Sequence, residues 1–503
     1  MTRFSRLWSF VRIVWGLAIL LCLLGSGATL PVDAQSNAIA WSKPINLSNT
    51  PQGSGDPAIV ADGYGYVHVF WSEDMGGPTM RAVDPLPEGN SIYYTRWDGE
   101  VWTPPVDILS VPYDSIANFI SVVVDSKNRL HAVWTGQTSL YYSWAPGSRA
   151  YSAGAWSKPV VVGTDSARSA WMISIAVGAS GDLHVAYATR GGSAGIYYTH
   201  STNGGLDWDA PVRLSGALDA VEESYSNVKI IADAMGRLHV AWQTNQIEGY
   251  GQAVYYAKSP NGGKAWSPPI QLAYRAPGDF DVSLSCIVAR GQSEVHIIYN
   301  AGVRPVGRYE LISHDGGATW SDAYPILQSL EGINGFLAPL VDGVGQMHLI
   351  IDMRTRDTQV VGLYYAQWLE PGWSKVTPLA TEAPYGPSAH YTAAAVRLGN
   401  ELHVVWTQLR YGEIWYMRGT VPGVAQTPAL SLPGLPTPTS SVPTGSTPQM
   451  VPTTHPVMPA GDTAIPDSAQ AADNAMLYSV GVPILFVLAA VSGWLFVYAL
   501  RHR

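Results

Sequence analysis

Cysteine is nearly absent: Cys22 and Cys286 are the only two in 503 residues. Cys22 lies in a segment expected to be removed. That excludes an intramolecular disulfide framework and a cysteine-based zinc site, so the fold must be held by packing. Charge is scarce as well, at 13% Asp, Glu, Lys and Arg, and it leans acidic, with a net charge of −9. Each end carries +2 (Arg3, Arg6, Arg12 and Asp33; Arg501 and Arg503), which leaves −13 on the part between. A duplex-binding surface needs clustered Lys and Arg to neutralise phosphates, so nucleic acid is not an expected partner. Phe is rare, with 8 residues against 27 Tyr and 19 Trp. What is abundant is apolar residues (47%), 50 Gly and 36 Pro. Such a chain is too apolar to be disordered. Its Gly and Pro, set among β-branched and aromatic residues, predict many short strands joined by tight turns.

The longest apolar runs lie at the ends. Residues 1–34 read as a secretory signal: three arginines, the apolar stretch Val14–Leu24, and Val32-Asp33-Ala34 as a small-residue cleavage site. Residues 476–500 read as a transmembrane helix, because Leu477–Leu500 is uncharged and long enough to cross a bilayer. Arg501-His502-Arg503 then forms a cytoplasmic tail by the positive-inside rule. Residues 421–475 are rich in Pro, Thr, Ser and Ala and read as an extended stalk. The expectation is a body, residues 35–420, held outside the cell membrane by a single C-terminal span.

Within the body one pattern recurs seven times, from GYVHVFW at 65–71 and NRLHAVW at 128–134 to NELHVVW at 400–406. Its histidines are His68, His131, His184, His239, His296, His348 and His403. An apolar strand ending in Asp precedes several copies. An aromatic strand such as VYYAK (254–258) and a Trp-led strand such as WSPPI (266–270) follow. Four strands per unit of about 50 residues is the pattern of a propeller blade, and blades stack in a ring to bury both faces. The seventh unit lacks its Trp-led strand, while WSKPINLS at 41–48 stands alone before the first. The simplest closure lends 41–48 to blade seven as its outer strand, removing two open sheet edges. The predicted fold is an all-β, seven-bladed β-propeller of four-stranded antiparallel blades; six blades is the next count.

Three units carry a more specific turn: STNGGLDW (Ser201, Asn203, Gly205, Trp208), SPNGGKAW (Ser259, Asn261, Gly263, Trp266) and SHDGGATW (Ser313, Asp315, Gly317, Trp320). This resembles the Asp-box, or BNR, repeat of the sialidase-like superfamily, Ser-x-Asp-x-Gly-x-x-Trp. Asp or Asn closes such a turn on nearby backbone, Gly accepts positive φ, and Trp plugs the blade edge. The resemblance implies a structural role for the motif, away from any catalytic face.

Function is expected in the loops that enter the first strands and leave the second strands, where the channel opens. Arg81, Arg190, Arg304 and Arg354 are the candidate ligand-binding arginines, suited to carboxylates by bidentate geometry. Glu222, Glu223, Tyr225 and Asp56 are the candidate catalytic groups. They match by type the acids and tyrosine that the resemblance to sialidases implies. The first blade's inner strand, GSGDPAIVAD at 53–62, lacks the arginine motif common in those enzymes. No cofactor or metal is expected, the repeated histidines being assigned to blade packing. The reading is glycan or other extracellular ligand binding at the channel mouth. An exo-acting glycoside hydrolase with a rearranged arginine clamp is the first alternative, and a protein-interaction scaffold the second.

Overall fold

The computed structural model describes residues 38–432 apart from 51–52, 75–90, 112–116, 137–138, 164–169, 192–193, 217–223, 247–249, 303–305, 332–336, 357–359, 383–388 and 409–411. The expected signal, the transmembrane helix and all but the start of the stalk lie outside them. Among the described residues, no helix is long and apolar enough to cross a membrane.

Seven antiparallel sheets form seven blades. The inner strands are Gly53–Ala61, Asn118–Val124, Ala170–Val177, Ser224–Ala232, Asp281–Arg290, Leu337–Val341 and Ala389–Arg397. Each pairs with the His-bearing second strand of its blade, for example Val60 with His68 and Ile231 with His239. The seventh blade is completed from the N-terminus: Trp41 pairs with Gly419, and Ile45 with Tyr416. The ring is therefore closed between strands more than 370 positions apart, as the orphan segment required.

The repeat is a packing device. All seven histidines are buried. In six blades Nδ1 is hydrogen-bonded to a tyrosine hydroxyl on the third strand, at 2.6 Å for His239–Tyr256 and 2.8 Å for His68–Tyr94. The Asp that ends the inner strand serves two groups. Asp233 accepts from the amides of Met235 and Arg237, closing the turn, and its other oxygen lies 3.0 Å from His239 Nε2. Burial holds these histidines below the usual imidazole pKa, as for His239 and His348.

The same tyrosine receives the next blade. Trp208 stands edge-on to Tyr142, Trp266 to Tyr198 and Trp320 to Tyr256, with ring centroids 4.8–5.2 Å apart. Trp102 of blade one packs on Tyr416 of blade seven, and Trp41 packs on Tyr365 of blade six. These tryptophans, expected to plug the blade edge, wedge it against the preceding blade. Gly317 shows why the turn needs glycine: φ is +76°, and a Cβ would stand 1.8 Å from the Tyr256 hydroxyl.

Blade five departs from this pattern. Glu310 replaces the tyrosine, and its carboxylate takes His296 Nδ1 at 2.7 Å, the Tyr324 hydroxyl at 2.6 Å and Trp373 Nε1, from blade six, at 2.9 Å.

Residues 421–432, the start of the segment read as a stalk, run back along the body. The amides of Val421, Thr427 and Leu430 donate to the carbonyls of Asn400, Leu398 and Gly63 at 2.8 Å each. This strap crosses from blade seven to blade one. It lies on the face formed by the turns between first and second strands.

Candidate functional site

The mouth lies at the opposite end, where inner strands begin and second strands finish. Three successive levels of the second strands, counted from the histidine, organise it.

Four positions beyond the histidine stand Ser72, Thr135, Ala188, Gln243, Asn300, Asp352 and Thr407. All but Ala188 are polar, and all seven are buried. Their bonds knit the blades at this end. Gln243 Oε1 accepts from Asn227 Nδ2 at 2.8 Å and from the Leu284 amide of blade five at 2.9 Å. Asp281 accepts from the Gly251 amide at 2.7 Å and from the Ser283 hydroxyl. Burial raises the Asp281 carboxyl above the usual range, against the opposing pull of those bonds. Arg308 sits inside the third strand of blade five. It is fully buried against the Met353 sulfur, in the field of Asp352 and Asp281. Burial lowers its pKa and the two carboxylates raise it again. Its position fixes blades five and six together rather than offering a free clamp.

One level deeper, the inner strands bulge. The ladder shifts register between Gly55 and Ala58, Asn118 and Ser121, Ser226 and Lys229, and His390 and Ala393. At these bulges Asp56, Phe119, Asn227 and Tyr391 adopt left-handed φ of 47–50°. Each remains half-buried. Non-glycine residues rarely adopt this conformation, and recurrent bulges re-aim side chains. Of these, Phe119 packs into the core between blades two and three and Asn227 donates to Gln243 and Leu284, which leaves Asp56 and Tyr391, on adjacent blades one and seven, at this level.

The third level, two positions beyond the histidine, pairs with Ala58, Ser121, Ser174, Lys229, Cys286, Ala338 and Ala393 of the inner strands. Six are small. They leave a cavity of about 220 Å³ on the side of blades three to seven. Cys286 is a buried free thiol whose pKa burial pushes up, which keeps it protonated.

The four expected catalytic groups are not assembled among the described residues. Tyr225 is buried, and its hydroxyl donates to the Gly216 carbonyl at 2.9 Å, a structural bond rather than a poised nucleophile. Asp56 lies on blade one, Tyr225 on blade four. Glu222, Glu223, Arg81 and Arg304 fall outside the described residues. Arg190 is exposed at the end of blade three's second strand, while Arg354 pairs with Glu331 in backbone register.

The three expected Asp-box turns lie at the strap end. In each, a serine hydroxyl donates to the Asn or Asp side chain and accepts from the glycine amide: Ser201 with Asn203 and Gly205, Ser259 with Asn261 and Gly263, Ser313 with Asp315 and Gly317. Asp315 uses its second oxygen to take the Thr319 hydroxyl at 2.6 Å. That bond, with the Thr319 and Ala318 amides, holds its carboxyl well below the usual range.

No family model matches the chain, and no curated protein matches it. Solved structures do. An ulvan lyase of polysaccharide lyase family 25 aligns over 75% of this chain and 96% of its own, at 12% identity and a TM-score of 0.51; it is also known bound to -[GlcA(1-4)Rha3S]-. The NanB sialidase of Streptococcus pneumoniae aligns over 76% of this chain and 70% of its own, at 13% identity and a TM-score of 0.43. The class these strands define is the seven-bladed β-propeller. Within it, this chain has seven blades closed by its own N-terminus, and its overall fold is similar to that of the ulvan lyase.

Proposed function

We propose that the protein binds an acidic or hydroxyl-rich extracellular glycan at the channel mouth, and that the body is held at the cell surface by residues 476–500. The observation that carries the reading is the bulge level: Tyr391 of blade seven and Asp56 of the adjacent blade one, both half-buried and in left-handed backbone at the mouth end of the inner strands. Aromatic faces with a few acid and amide groups suit sugar rings, whose C–H faces stack and whose hydroxyls need both donors and acceptors. The strap supports the orientation. The chain leaves the body at the face of the first-to-second-strand turns, so an anchored body turns its mouth away from the membrane. The bound uronic acid and sulfated rhamnose of the ulvan lyase show that this fold accommodates such ligands in one protein. Binding is favoured over Tyr-dependent hydrolysis because the Tyr225 hydroxyl is committed to Gly216.

The test is titration of the full chain with neutral and uronic-acid oligosaccharides. Saturable binding that falls at least tenfold in both Tyr391→Ala and Asp56→Ala supports the reading. Equal affinity in wild type and both variants, or binding to none of the panel, removes it.

A further inference from the structure

One charged group in the channel is unexplained by folding or by the mouth. Lys229 is the exception in the ring of small residues, and it opens onto the 220 Å³ cavity. Its side chain is exposed to that space although it lies deep in the ring of blades. Burial lowers its pKa, and no acid partners it among the described residues. The equivalent positions on the two preceding blades show what this place in the repeat normally does. The Ser121 hydroxyl accepts from the Ile175 amide of the next blade at 3.3 Å. The Ser174 hydroxyl accepts from the Ile230 amide at 3.1 Å. Inner strands are sheet edges, so these channel-facing amides need an acceptor. At blade four the residue is lysine, whose ammonium has no lone pair and cannot accept. The next amide in the series is that of Ile287, which pairs with Ile297 as Ile175 pairs with Val185. Across the same cavity, the buried Thr392 hydroxyl has no hydrogen-bond partner among the described residues. A cation and an unpartnered hydroxyl thus stand around one small cavity, beside an edge amide that has lysine where the two amides before it in the series have serine.

We propose that the channel holds a small oxyanion, a carboxylate or sulfate, between Lys229, Thr392 and the Ile287 amide. The anion supplies the acceptor that serine supplies in blades two and three, and it neutralises the one interior lysine. Its source is either a free ion or the acidic group of a sugar entering from the mouth. The site stands on the channel geometry alone and does not require the glycan reading.

The test is isothermal titration of the full chain with sodium sulfate, acetate and glucuronate, at ionic strength held constant with sodium chloride. Wild type is expected to show one saturable site. Lys229→Met, which keeps the chain length and removes the charge, should weaken it at least about tenfold. Lys229→Arg should retain it, and Thr392→Val should weaken it less. Acetylation of Lys229 in the unmodified protein, read by mass spectrometry, should slow in sulfate, so the proposal stays testable if Lys229→Met does not fold. Saturation by sulfate and acetate but not glucuronate marks a free-ion site; saturation by glucuronate as well marks one that admits a sugar acid. A sulfate site unaffected by Asp56→Ala and Tyr391→Ala separates the channel from the mouth. No saturable site, or one unchanged in Lys229→Met, overturns the proposal.

Discussion

Glu310→Gln is the sharpest test of how the blades are locked. Glu310 is fully buried, and three donors converge on it: His296 Nδ1 at 2.7 Å, the Tyr324 hydroxyl at 2.6 Å and Trp373 Nε1 at 2.9 Å. On the far side of the imidazole, Glu294 accepts from Nε2 at 2.7 Å. Burial alone would lower the His296 pKa, but the two carboxylates outweigh it and raise it. His296 is thus the one blade histidine favoured as the cation, and the sign follows. A raised folded pKa contributes stability that is fully present below the unfolded value of about 6.5 and is lost as pH rises through the folded pKa. Glutamine keeps the shape but has one acceptor oxygen where two were used. The variant loses a charge-assisted bond, worth about 1.5–3 kcal/mol. Full removal in Glu310→Ala should cost about 3–5 kcal/mol, since a buried cation loses its partner. Urea unfolding at pH 6, 7.5 and 9 should show the gap between wild type and Glu310→Gln shrinking as pH rises. NMR titration should place the His296 pKa above 6.5 in wild type and lower in the variant. A gap independent of pH, with His296 titrating below 6.5 in wild type, would refute the reasoning.

The other blade histidines predict the opposite slope. Burial, with His200 nearby, takes His184 down to about 4. A depressed imidazole pKa favours the neutral folded form, so stability is complete above about 6.5 and falls as pH drops towards 4, by roughly 3 kcal/mol for this residue. Equilibrium unfolding from pH 7 to 4 should lose that slope in part in His184→Gln. Gly317→Ala should destabilise by about 2–4 kcal/mol, combining left-handed strain with collision against Tyr256, read as a lower urea midpoint; a neutral effect would contradict the wedge geometry. Deleting 41–48 removes Trp41 from Tyr365 and reopens the ring. Thermal unfolding should then move down by at least the 3–5 kcal/mol typical of a large packed aromatic, and an unchanged melting curve would argue against closure.

The blade count and the closure could be read in the chain because both are local signals repeated. Seven copies of a His-centred strand fix seven sheets, and the unmatched WSKPINLS fixes where the missing strand comes from. A polar residue stands four positions after six of the seven histidines, as Ser72, Gln243, Asn300 or Asp352, but only the folded ring shows that this step marks the mouth end of the channel. Other features had no such signal. Tyr225 looked available in a loop-like stretch, but burial and Gly216 remove it, and only packing decides burial. Nothing in the chain marks Arg308 for burial; its place inside a third strand sets it against Met353. Lys229 opens the apolar stretch KIIAD at 229–233; its meaning depends on six small residues from six other blades that meet it at one level. The sequence by itself determined the repeat, its number and its closure, because periodicity is carried along the chain. Only the tertiary structure decided which polar groups share the channel, because that depends on register and bulges between strands hundreds of residues apart.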